Sequence, residues 1–192
     1  MPSEPPGAAA RIVAAAEEAE PRLGGTRLVC IDGLAGAGKS TLATAVGRLR
    51  PDALVFATDD MLHGWSGLPG LGVTLDRLLR PLAAGRPGRW RRWDWLTGEW
   101  AEEHRVDPVA LLVLEGVGSC ANEIADLVSL TVWVEAERTV RRDRWIDRDG
   151  EVLRGHWATW ADDEAAHHRV HRARERAGLR YDTSTGTALA RR

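Results

Sequence analysis

Short apolar runs alternate with longer amphipathic or polar stretches along this chain. Residues 28–31, Leu-Val-Cys-Ile, form one run, closed by Asp32-Gly33. Residues 53–57, 110–114 and 130–134 form three more, and 179–183 a fifth. Runs of this length without polar alternation predict strands buried on both faces. The intervening pattern predicts helices over 8–20, 39–49, 71–84, 137–149 and 157–177. Leu75, Leu78, Leu79 and Leu82 mark the apolar face of the third helix. Gly24-Gly25 breaks the first helix, and Pro51 stops the second. Residues 63–70 hold three glycines and a proline and read as loop. Residues 89–106 alternate aromatic and charged positions around Thr97-Gly98, the pattern of a hairpin or an irregular flap. The fold class predicted is α/β: a parallel five-stranded sheet with helices on both faces and a short flap or hairpin insertion. The 192 residues read as a single domain, with 1–24 as an N-terminal helix and linker.

Composition narrows the function. Hydrophobic residues at 44% and charged residues at 28% predict a packed core. The net charge of -2 carries no basic excess, so nucleic acid is not the expected partner. No apolar run approaches the ~20 residues that cross a bilayer. Residues 1–7 are Pro-rich and lack the apolar core of a signal peptide. The expectation is a cytoplasmic protein with no membrane partner. Cys30 and Cys120 stand far apart and form no metal-type cluster, and Cys30 reads as a buried thiol. Of the 26 Lys and Arg residues, all but Lys39 are Arg. A genome-wide coding bias explains the arginines, which makes the exception informative. A compact ammonium fits between phosphate oxygens where a planar guanidinium does not.

Lys39 lies in Gly33-Leu34-Ala35-Gly36-Ala37-Gly38-Lys39-Ser40, a full match to G-x-x-x-x-G-K-[ST] between a predicted strand and a predicted helix. Such a loop turns its backbone N–H groups toward phosphates. The assignment here is a triphosphate held by Gly33, Ala35, Gly36, Ala37, Gly38, Lys39, Ser40 and Thr41. Lys39 contacts the β- and γ-phosphates, and Ser40 binds Mg²⁺. The N-K-x-D element that reads a guanine is absent, and the strand at 111–114 ends in Glu115 without the Asp of a motor ATPase.

Strand carboxyl ends border the ligand crevice of a parallel sheet. Asp59 and Asp60 follow the 53–57 run, and either could take a hydroxyl proton or simply cap a turn. Glu115 follows the 110–114 run, as a Mg²⁺ ligand or a surface acid. Arg141, Arg144 and Arg148 share one helical face, either to meet phosphate or to be neutralised by Asp143, Asp147 and Asp149. Trp90, Trp93, Trp95 and Trp100 cluster, to stack on a planar substrate or to build a satellite core. His167 and His171 stand at i, i+4 without an evident third metal ligand. Glu164, His168, Arg172 and Glu175 read as a solvated helix face.

From residue 28 to about 183 the chain resembles the uridine kinase group of small P-loop kinases. Four places carry the resemblance: Ile31-Asp32-Gly33 through Ser40-Thr41-Leu42, Ala57-Thr58-Asp59-Asp60, Trp93-Asp94-Trp95, and Leu114-Glu115-Gly116. The resemblance implies a sheet of P-loop kinase type, ATP and Mg²⁺ as cofactors, and a small-molecule acceptor. It implies Asp59 as catalytic base beside Lys39. It makes 136–150 a lid whose Arg141 and Arg144 close on phosphate. Asp60, Trp93, Asp94 and Trp95 would meet the acceptor, and Ser40 with Glu115 the metal. The first element is similar to cytidylate kinase as well. A nucleoside monophosphate kinase and a weakly catalytic ATP-binding module therefore stay open beside a kinase for a hydroxyl acceptor, such as a nucleoside. Residues 61–74 contain no acid that could hold a ribose diol. A base beside the loop favours a hydroxyl, because transfer to a phosphate needs none. The acceptor's identity and a homo-oligomeric state stay open.

Overall fold

The computed structural model describes residues 7–150, 155–184 and 187–189; residues 1–6 of the N-terminal segment lie outside them. Five strands run parallel in one sheet: β1 (Arg27–Gly33), β2 (Leu54–Ala57), β5 (Leu111–Glu115), β6 (Leu130–Glu135) and β7 (Leu179–Asp182). Their spatial order is β2-β5-β1-β6-β7, and β8 (Thr187–Leu189) adds an antiparallel edge that the hydrophobic pattern did not signal. The sheet is the one the apolar runs predict. The hairpin is present as a separate two-stranded unit, β3 (Gly88–Asp94) and β4 (Glu99–Val106).

The strands are apolar throughout because both faces are covered. Leu28 and Cys30 of β1, with Leu112 and Leu114 of β5, point into a core shared with α3 (Leu71–Ala83). Val29, Ile31, Leu111 and Val113 point the other way, onto α1 (Ala8–Glu18) and α2 (Lys39–Leu49). The residues before β1 are more than a linker, for Leu23 is fully buried and pairs its backbone with Thr26.

The predicted 157–177 helix is two helices. α5 (Trp157–His171) ends at Arg172, whose φ of 50° is left-handed, and α6 (Ala173–Arg176) follows. α5 also corrects the solvated-face expectation. Trp157, Trp160, Glu164, His167 and His171 form its buried stripe, at spacings that follow the helical period. α4 (Arg138–Asp149) precedes it. Among the described residues no helix is long and apolar enough to cross a membrane.

Candidate active site

The phosphate-loop sequence sits where β1 gives way to α2. Gly33, Gly36 and Gly38 all have positive φ, at 147°, 75° and 98°. Two of them also have no room for a side chain. A Cβ on Gly33 would overlap the Val134 carbonyl, and one on Gly36 the Arg141 carbonyl. Glycine is therefore required twice over, by conformation and by close approach. Asp32, fully buried, ties the loop's start to the turn after β5. Its Oδ1 accepts from the amides of Gly33 at 2.7 Å and Gly118 at 3.0 Å, and its Oδ2 from Cys120 at 3.0 Å.

A cavity of about 500 Å³ opens beside the loop. Ala35, Gly36, Lys39 and Ser40 line one side, and the carboxylates of Asp59, Asp60 and Glu115 converge on it. Apart from Arg148, the remaining wall is apolar, with Leu62, Trp65, Trp95, Val117, Trp145 and Trp160 among its residues. Asp59 and Asp60 lie in a 3-10 turn, Thr58–Met61, directly after β2. The strand end expected to carry a carboxylate does carry one, at the crevice edge. Lys39 is nearly buried and donates to the Leu34 carbonyl at 3.1 Å. Burial pushes the Glu115 carboxyl up, against the Lys39 ammonium and a hydrogen bond from Ser40 that favour its charged form. Burial, then the neighbouring Asp59, raises Asp60.

Hydroxyl and carboxylate oxygens at Ser40 and Glu115 form a hard donor set suited to Mg²⁺. Among the described residues no group of three or more His, Cys, Asp or Glu could by itself hold a metal ion.

Four of the expected site residues do not line this cavity. Trp93 is buried in the hairpin, its ring 4.7 Å from His63 and 5.2 Å from Trp100, and it does not line the cavity. A register shift between Arg91 and Trp93 turns Trp93, as well as Trp90, to the inner side. Asp94 is absorbed by its own turn, accepting from Leu96 and Thr97 amides that lower its pKa. Arg141 is buried and points behind the phosphate loop, donating to the carbonyls of Ala136 and Ala35 at 3.2 Å each. Arg144 bonds Thr183. Of the 136–150 arginines it is Arg148 that lines the cavity. Trp95 and Asp60 do reach it.

Glu164 is the residue that reading by hydrophobicity missed. It is 1% exposed; its Oε1 accepts from the Ala35 amide at 2.6 Å and from the Trp160 indole at 2.9 Å. Its Oε2 lies 3.9 Å from Arg141. Burial raises its pKa, with Lys39 the strongest opposing influence. The aromatic and imidazole residues spaced three and four apart around it were the available signal.

The chain matches no protein-family model and no curated protein. Solved structures do match its fold. A protein of Bacillus stearothermophilus described as a "Possible Uridine Kinase" superposes with a TM-score of 0.57 at 18% identity, over 82% of this chain and 89% of that one. A "putative fructose transport system kinase" from Silicibacter sp. TM1040 gives 0.56 at 21% identity, over 88% and 94%. The YGR205w protein gives 0.54 at 11% identity, over 87% and 89%. The fold is that of uridine kinase-like and related P-loop kinases.

Proposed function

We propose that this protein is an ATP-dependent kinase that transfers the γ-phosphoryl group to a hydroxyl of a small molecule. The observation that carries the reading is the convergence of Lys39, Ser40, Asp59 and Glu115 on one cavity. In this reading Lys39 and the loop amides hold the β- and γ-phosphates, and Arg148 meets them from α4. Bound Mg²⁺, held through Ser40 and Glu115, supplies charge neutralisation at the phosphates. Asp59 accepts the acceptor's hydroxyl proton as the new O–P bond forms and the bond from the γ-phosphorus to the bridging oxygen breaks, leaving ADP.

The acceptor side of the cavity supports a hydroxyl over a phosphate acceptor. It presents Asp59, Asp60 and indoles, and a second phosphate there would face two carboxylates. The cavity's size suits a small molecule. Its apolar wall suits an acceptor with a flat ring, since indoles offer area and few hydrogen bonds.

The test is to screen a panel of alcohols, nucleosides, sugars and nucleoside monophosphates for ADP release, then to measure single-turnover transfer in Asp59→Asn. Asn keeps the shape and accepts no proton. The variant should bind ATP normally and transfer roughly 10²–10⁴-fold more slowly. An unchanged transfer rate removes Asp59 as base, and a monophosphate as the preferred acceptor replaces the hydroxyl reading.

A further inference from the structure

The phosphate loop already holds a carboxyl group of its own. Its backbone amides are the groups that would receive phosphate oxygens, yet the Ala35 amide donates to the Glu164 carboxylate at 2.6 Å. The carboxylate is 1% exposed, and its other oxygen lies 3.9 Å from Arg141. Arg141 in turn holds the Ala35 carbonyl, so both backbone polar groups of this residue are gripped from α4 and α5. Trp160, which lines the cavity, fixes the same carboxylate oxygen.

We infer that Glu164 is a positioning residue that exchanges its charge for a proton when a triphosphate occupies the loop. This rests on the reading that residues 33–40 hold a triphosphate. The charged groups facing Glu164 from neighbouring elements are Lys39 of α2 and Arg141 of α4. On its own helix, His167 and His168 are held neutral, chiefly by burial. Without nucleotide, the Lys39 charge supports an ionised Glu164. A triphosphate pairs with Lys39 and brings several negative charges of its own. The carboxylate then loses its main support and gains a repulsive neighbour, and its burial weakens the screening of both changes. A proton from solvent resolves the conflict. The Glu164 carboxyl keeps one oxygen as acceptor for Ala35, so the loop holds its shape while the clash disappears.

The sign follows from linkage. Binding that takes up a proton weakens as pH rises, by up to about tenfold per pH unit. The position of Glu164 matters as well as its charge, because Gln can keep the Ala35 bond without titrating.

The experiment is calorimetry of ATPγS binding with excess Mg²⁺, whose terminal phosphate stays ionised across pH 7 to 8.5, in buffers of different ionisation enthalpy. The full-length protein should take up a measurable fraction of a proton. Glu164→Gln should take up none, bind with pH-independent affinity, and bind about tenfold more tightly than the parent at the upper pH. Infrared difference spectra of the unmutated protein give a second readout that does not depend on the variant folding. A protonated-carboxyl stretch should appear on adding ATPγS. Binding without proton uptake and without that band overturns the inference and leaves the triphosphate reading intact. Absence of any binding overturns both.

Discussion

The Trp95 indole donates a 3.2 Å hydrogen bond to the backbone carbonyl of Asp59. The hairpin tip is thereby pinned to the turn that carries the proposed base, although the hairpin and the strand before that turn, β2, belong to separate sheets. Trp95 remains 39% exposed, so a fixed aromatic surface stands beside Asp59. Leu96, next to it, is almost wholly exposed and also lines the cavity.

Trp95→Ala should raise the acceptor KM by about tenfold and leave the ATP affinity unchanged, since the indole supplies acceptor-facing area and touches none of the loop residues. Trp95→Phe keeps the flat surface and loses the bond to Asp59. It should recover most of the KM and lose a few-fold in kcat, because a net hydrogen bond contributes about 1 kcal/mol. Steady-state kinetics on the acceptor found by screening measures both. A fall in ATP affinity in either variant would move Trp95 out of the acceptor wall.

Lys39→Arg should be almost as damaging as Lys39→Ala. The ammonium lies within its own loop, nearly buried and bonded to Leu34, and a guanidinium is too broad for that space. Both variants should lose at least about 100-fold in turnover, the scale of removing one charge-stabilising group. Single-turnover transfer measures it, and a near-normal Arg variant would contradict a cradle built around one lysine.

Two histidines of α5, His167 and His168, make acid stability a second readout of the core. Burial lowers the His167 pKa from 6.5 to about 3, and its Nε2 has no partner in the structure. The folded protein therefore resists a proton that the unfolded chain accepts. Stability is fully present above pH 6.5 and is lost as pH falls from there toward 3, by about 1.4 kcal/mol per unit for this one group. His168 is shifted the same way and adds to the slope. Urea unfolding at pH 7.5 and pH 5 should show the loss, and His167→Gln should reduce the slope by about one proton equivalent. An unchanged slope would mean that water reaches the ring.

The parts of the site legible in the sequence are those that depend on backbone or on strand ends. Gly33, Gly36 and Lys39 answer to local geometry that any neighbours would demand. Asp59 and Glu115 follow apolar runs, and a parallel sheet sends every such end to one edge. Side chains on helices and in the hairpin were not legible in the same way. Arg141 and Arg148 occupy one helix, and which of them meets the cavity depends on how α4 packs against Gly36. Trp93 and Trp95 stand two apart, but β3 ends at Asp94, so Trp93 is buried in the strand and Trp95 stands half-exposed in the turn beyond it. Glu164 was hidden because a buried stripe of Trp, Glu and His has a helical period and no hydrophobic signature.

Asp32 joins the phosphate loop to residues 86 and 88 positions later in the chain. On a ribosome, the glycine loop emerges long before the turn that shapes it. Until Cys120 has been made, the Asp32 carboxylate lacks the amides of Gly118 and Cys120, and the loop has no support from β5. Glu164 arrives later still. The proposed triphosphate site is therefore a late product of synthesis, completed when most of the chain is in place. A nascent chain cut short before α5 should carry the whole signature motif and bind no nucleotide.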